Sequence, residues 1–181
     1  MRGIFTLGVF IALVAGAAVV GAQFMPGEWY QALRRPPLTP PNWLFGPVWS
    51  ILYLAIAVAA FLVWRSPAHP DTGPDTGPDT GPDRGPDTRP GIRLAMVLWV
   101  VQLALNAAWS YLFFGLERPG LALIEIIVLL ALVVATAVVF ASIRKPAGVL
   151  FVPYVLWVGF ATYLNAGFWF LNRAGDAPPA V

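Results

Sequence analysis

Charged residues fall in clusters along the chain, and the gaps between clusters are long. After Arg2 the next is Glu28, and none occurs from Pro36 through Trp64, from Leu94 through Leu116, or from Pro146 through Asn172. A further apolar stretch, Gly120 to Ile143, is broken only by Glu125. Crossing hydrocarbon as a helix takes about 20 apolar residues, so each gap holds one span. The pattern predicts helices over 4–24, 45–64, 93–115, 119–142 and 147–171. Strands of a membrane barrel would alternate apolar and polar over about ten residues, and runs such as IIVLLALVVATAVVF do not alternate. The expected fold is all-α: a bundle of five transmembrane helices, one membrane domain over residues 1–181.

Composition agrees. The chain is 59% hydrophobic and 11% charged, with a mean hydropathy of +0.73, where a soluble domain carries about 25% charged residues. Nine of its 20 charged residues lie between Arg65 and Arg93, leaving 11 for the other 152 positions. The net charge of +2 points to no nucleic-acid partner. Cysteine is absent and the one histidine, His69, stands in a Pro-rich stretch, so neither a thiolate nor a multi-histidine metal site is available.

The first span shares features with a signal peptide: Arg2, an apolar core, and small residues at Val20-Gly21-Ala22. The expectation is that it is retained as a helix. Small residues at Gly8, Ala12 and Gly16, and at Ala17 and Gly21, suit close helix approach in lipid, although such residues are common in membrane helices generally.

Between the second and third spans lie five tetrapeptide units, PDTGPDTGPDTGPDRGPDTR, from Pro70 to Arg89. Proline every fourth residue removes backbone donors and glycine offers nothing to pack, so residues 66–92 read as a disordered, solvated linker. Calcium loops need converging ligands on a defined turn, which a repeat of isolated Asp does not supply. With five spans the N-terminus shares a side with the second and fourth loops. That side carries seven Lys and Arg against four on the other, which favours a cytoplasmic N-terminus.

No pair of carboxylates or nucleophile and base stands out for acid–base chemistry. Glu125 sits about two turns into the fourth helix, roughly 10 Å from its start, and a structural role, snorkelling to the membrane face, is the expectation. Aromatic and amide residues are more informative. Trp49, Trp109 and Trp157 lie well inside their spans, unlike Trp43 and Trp64 near span ends. In the third span Gln102, Asn106 and Ser110 form one polar stripe, with Trp109 beside it; in the fifth, Tyr154, Trp157, Ala161 and Asn165 share a face. Amides at this depth must face a partner helix or a cavity. Two such stripes either lock helices together or line a cleft for a flat, apolar, partly polar ligand. The first loop, Gly27 to Tyr53, sharpens the second reading. Pro36, Pro37, Pro40 and Pro41 set an extended path, while Trp29, Tyr30, Trp43 and Phe45 give it apolar surface, as expected of a lid over the mouth. Arg34 and Arg35 suit carboxylates of a ligand or lipid phosphates, with lipid the expectation.

These residues resemble the TspO/MBR family of bacterial tryptophan-rich sensory proteins and mitochondrial translocator proteins. The likeness is carried by the small-residue first helix, WYQALRRPPLTPPNWLFGPVWSILY, QLALNAAWSYLFFG from Gln102, and GVLFVPYVLWVGFATYLNAGFWFLN from Gly148. It implies a five-helix bundle, commonly a homodimer, that binds tetrapyrroles such as protoporphyrin IX and haem, and in some members sterols or benzodiazepine-type drugs. Family ligand contacts fall on Trp49, Asn106 and Trp157. Some members are linked to light-dependent porphyrin degradation, and Trp49 and Trp157 match the tryptophans assigned to it. The ligand site expected from residues and resemblance together comprises Trp29, Trp43, Trp49, Tyr53, Asn106, Trp109, Tyr154, Trp157, Ala161 and Asn165. No metal and no required cofactor are expected; porphyrin or haem is the ligand, membrane lipid and a second copy are the partners, and the bacterial envelope is the location. A sterol-recognition pattern needs Tyr followed closely by a cation. After Tyr163 the next is Arg173, so the pattern fails and sterol is not expected.

Overall fold

The structure, a computed structural model, describes residues 2–24, 26–66 and 90–173; the tetrapeptide repeat lies outside the described residues. Five long helices run through it: α1 (Arg2–Ala22), α3 (Phe45–Trp64), α4 (Pro90–Ser110), α5 (Pro119–Ile143) and α6 (Lys145–Leu171). A short helix, α2 (Glu28–Ala32), precedes α3 in the first loop. All five long helices are long and apolar enough to cross a membrane. Side chains such as Ile4, Phe5, Ile51, Ile124, Val138, Val149 and Leu156 point outward and are more than half exposed, the arrangement lipid allows and water does not.

Boundaries differ from expectation by a few residues, with local reasons. α1 ends at Ala22 because Gln23 and Phe24 bond back to the carbonyls of Val20 and Gly21, tightening the last turn. α4 starts at Pro90, inside the expected linker, since the first helical position needs no donor and suits proline. The first loop is not wholly extended: α2 and a 3-10 turn, Asn42–Leu44, flank the proline segment.

Around the bundle the order of neighbours is α1, α3, α6, α5, α4 and back to α1. Fully covered alanines (Ala57, Ala59, Ala60, Ala95 and Ala147) mark where backbones approach. At the α5–α6 crossing a Cβ on Gly148 would run into Ala141 and the carbonyl of Ala137, the small-residue contact that replaces the hydrophobic effect inside lipid.

A π-helical turn, Tyr111–Gly115, extends α4, and Leu116 N–H bonds to the Tyr111 carbonyl at 2.8 Å. The wider turn shifts the phase of the side chains that follow. It brings Phe113 (1% exposed) beneath Tyr30 of α2 (3% exposed), with Phe168 from α6 closing the cluster.

Candidate ligand cleft

The cleft is built on the polar stripes of α4 and α6. Trp109 Nε1 donates to Asn165 Oδ1 at 2.9 Å, and Asn165 Nδ2 donates to the Pro119 carbonyl at 2.7 Å. This ties α4, α6 and the start of α5 at one level. Deeper in the bundle Tyr53 of α3 donates to Asn106 Oδ1 (2.8 Å), Asn106 Nδ2 donates to Tyr154 Oη (3.2 Å), and Tyr154 donates to Gln102 Oε1 (2.9 Å). Asn106 and Asn165 are thereby held through both oxygen and nitrogen, and Gln102 through its oxygen, as polar groups at this depth require partners. The stripes lock three helices and turn one edge toward an open space.

That space is a cavity of about 630 Å³, within the range of small-molecule sites, roughly 300–1,000 Å³. Its aromatic walls are Trp49 and Tyr53 from α3, Trp109 and Phe113 from α4 and its π turn, and Trp157 from α6; Asn106, Asn165 and Ala161 also line it. Trp49 packs on Tyr53 at a tilt of 32°, with centroids 5.0 Å apart, and meets Tyr154 edge-on at 6.1 Å. Trp43 is 72% exposed and stands at the wall nearest the loop.

Of the residues expected in the site, Trp43, Trp49, Tyr53, Asn106, Trp109, Trp157, Ala161 and Asn165 line the cavity. Tyr154 stands behind the wall, fully buried, orienting Asn106 and Gln102. Trp29 packs on the edge of Phe113 (5.9 Å) outside the lining, and its neighbour Tyr30 faces the cavity instead. The lining also includes residues that sequence reasoning did not place in the site, among them Ala18, Gly21 and Ala22 of α1 and Ser50 of α3. The small-residue spacing of α1 was a signal for Gly21, where a Cβ would sit 3.4 Å from Ser110 Oγ. Gly8 and Gly16 have nothing within 4 Å.

The first loop covers the cavity and is fastened to the end of α6. Arg34 N–H donates to Asn172 Oδ1 (2.9 Å), and Asn172 Nδ2 donates to the carbonyls of Arg34 (3.0 Å) and Phe168 (2.8 Å). Tyr163 donates to the Pro37 carbonyl at 3.3 Å, and Pro36 fills the space a side chain at Gly167 would need. Arg35 lies over the Tyr30 ring, 5.6 Å from its centre. Burial pushes the Tyr30 phenol above its ordinary value of 10.0, and the Arg35 charge opposes that shift. Tyr30 therefore docks as a neutral ring.

Glu125 departs from expectation. Both of its carboxylate oxygens are buried inside the protein and have no hydrogen-bond partner, so it does not snorkel. Its position on α5 turns it toward α4 and α6, where the next turn and the previous one carry Leu129 and Ala122, both buried. Among the described residues no cluster of His, Cys, Asp or Glu could hold a metal.

Fold and cleft define a multi-pass membrane protein whose five helices enclose a covered aromatic chamber. The sequence pattern of the TspO/MBR family matches residues 8–170, and the chain belongs to that family. It is 35% identical to protein CrtK of Rhodobacter capsulatus over 94% of both chains. It is 36% identical to the tryptophan-rich protein TspO of Chlorobaculum tepidum, covering 91% of this chain and 94% of that one. The human translocator protein is 33% identical over 83% of this chain and 80% of its own. The chain is thus one of the membrane sensory and translocator proteins of this family.

Proposed function

We propose that the protein binds tetrapyrroles, protoporphyrin IX or haem, in the covered cleft, and senses or moves them across or within a bacterial envelope membrane. One observation carries the reading: a cavity of about 630 Å³ whose walls are indole and phenol faces and whose polar groups are fixed amides. A flat macrocycle offers large π surface to such walls and peripheral polar groups to the amides. The lining holds no imidazole, thiolate or thioether among the described residues. The donor set therefore fits the macrocycle, and haem would be held by its ring. Membrane lipid and a second copy of the chain are the partners that go with this reading.

The same wall supports a second reading. Trp49 and Trp157 both face the cavity, whose lining holds no carboxylate, imidazole or cation among the described residues, the arrangement in which an indole could give an electron to a photoexcited porphyrin in the presence of oxygen. Purified protein titrated with protoporphyrin IX should show saturable quenching of its tryptophan fluorescence. The Trp49→Phe/Trp157→Phe variant should bind several-fold more weakly; unchanged affinity would overturn the site. Illuminating the same two complexes in air tests the second reading, which requires new tetrapyrrole products that the double variant forms more slowly.

A further inference from the structure

The hydrogen-bond chain behind the cleft has a direction. Tyr53 donates to Asn106, Asn106 to Tyr154, and Tyr154 to Gln102. Gln102 is fully buried, and its Nε2 donates to nothing. Glu125, with both oxygens buried, accepts from nothing. A series of donors therefore ends on an unused donor, and the one buried carboxyl on the neighbouring helix is an unused acceptor.

Register places the two at one depth in the bundle. The Trp109–Asn165–Pro119 hydrogen bonds set a common level on α4, α6 and α5. From that level Gln102 is seven residues down α4, about 10 Å, and Glu125 six residues down α5, about 9 Å, at 1.5 Å per residue. The helices α4 and α5 are neighbours, and Glu125 lies within electrostatic reach of Tyr154. The titratable groups facing it are Tyr154 from α6 and, through the chain, Tyr53 from α3. From α4 the polar groups at this depth are the neutral amides of Gln102 and Asn106, both joined to Tyr154, and Tyr111 of the π turn packs against Phe24 instead.

We propose that Glu125 and Gln102 form a buried proton-binding site, closed by a bridging water, which couples protonation of the bundle interior to occupancy of the cleft. The coupling rests on the ligand reading above; the proton site does not. Two buried orphan groups of opposite hydrogen-bonding sense are what one water satisfies at both ends. A lone ionised carboxylate at this depth costs several kcal/mol, and a proton on either oxygen removes that charge. The other end of the chain, Tyr53 and Asn106, lies on the cavity wall. A flat ligand seated there shuts water out of the chain and favours the uncharged carboxyl, so binding takes up a proton. By linkage, acid must then strengthen binding, by at most tenfold per pH unit for a single proton.

Two measurements test this on the full chain in lipid nanodiscs. Without ligand, the infrared carbonyl band of a protonated carboxyl should titrate with pH, vanish in Glu125→Gln and shift in Gln102→Leu and Tyr53→Phe. With protoporphyrin IX as probe, fluorescence titrations should show affinity rising several-fold from mildly alkaline to mildly acidic pH. The Glu125→Gln variant should retain only the pH dependence that belongs to the porphyrin itself. Identical pH profiles for wild type and Glu125→Gln would overturn the coupling. Absence of a Glu125-dependent band would overturn the proton site. If protoporphyrin IX binds neither protein, the ligand reading fails while the infrared titration still decides the proton site. Glu125→Asp, which keeps the carboxyl, should restore a titrating band, and a band unchanged by every Glu125 substitution would again overturn the site.

Discussion

At the scale of single residues the informative contrast lies between groups that share a helix face and groups that share a cavity. Spacing alone put Tyr154, Trp157, Ala161 and Asn165 on one face, and three of the four line the cavity. Tyr154 instead spends its hydroxyl on two amides of α4. Removing that hydroxyl separates stability from positioning. In lipid, side-chain hydrogen bonds between helices are worth about 0.6 kcal/mol on average, because the unfolded chain also finds partners. Tyr154→Phe should therefore lower thermal stability by only about 1 kcal/mol, a few degrees in Tm, while Asn106 keeps only its bond from Tyr53 and is held less firmly. Affinity for a cleft ligand should fall more than stability does. A collapse of the folded state in a thermal melt, with no ligand effect in surviving protein, would show that the network exists for stability. The choice between Trp29 and Tyr30 as the inward residue was not legible beforehand. It depends on a five-residue helix, whose phase no periodicity can fix.

At the scale of elements the long spans were legible because length in lipid is set by the bilayer, and charge gaps report it directly. The smaller elements were not. The π turn at Tyr111–Gly115 follows from no residue pattern, yet it decides that Phe113 reaches Tyr30 and lines the cavity. Glu125 was misplaced for a related reason. Its distance from the helix start suggested an accessible carboxylate, and the distance was right, but rotation about the axis sends it inward. Helix contacts, by contrast, rest on small residues that can be tested one at a time. A larger side chain at Gly148 meets backbone atoms of α5, which cannot swing aside. Gly148→Val should sharply reduce the yield of folded protein, measured as the monodisperse fraction in detergent. Gly159, with nothing within 4 Å, should accept Ala with no loss. Equal behaviour of the two variants would mean that the α5–α6 crossing is not set by close packing.

At the scale of the whole molecule, cleft and covering loop lie at one end of the bundle, which gives the protein a sidedness that charge also addresses. The loop follows α1, so it stands on the side opposite the N-terminus, together with the α4–α5 connection and the end of α6. Seven of the 11 Lys and Arg belong to the N-terminal side, and four of them, Arg84, Arg89, Arg144 and Lys145, are split between the linker and the α5–α6 turn. Positive loops stay in the cytoplasm, so the prediction from charge is that the mouth faces away from it. The absence of cysteine makes the orientation directly measurable. Leu38, 77% exposed on the covering loop, and Ser142, exposed near the end of α5, mark the two sides. With the chain in the inner membrane of a bacterial host, Leu38→Cys should react with an impermeant maleimide in intact spheroplasts. Ser142→Cys should react only after lysis. The reverse pattern would invert the bundle and place the mouth in the cytoplasm, and a ligand would then have to enter from the cell interior. Labelling of both in intact spheroplasts would mean dual insertion, the result to expect if the linker charges alone, and not those beside the spans, carry the bias.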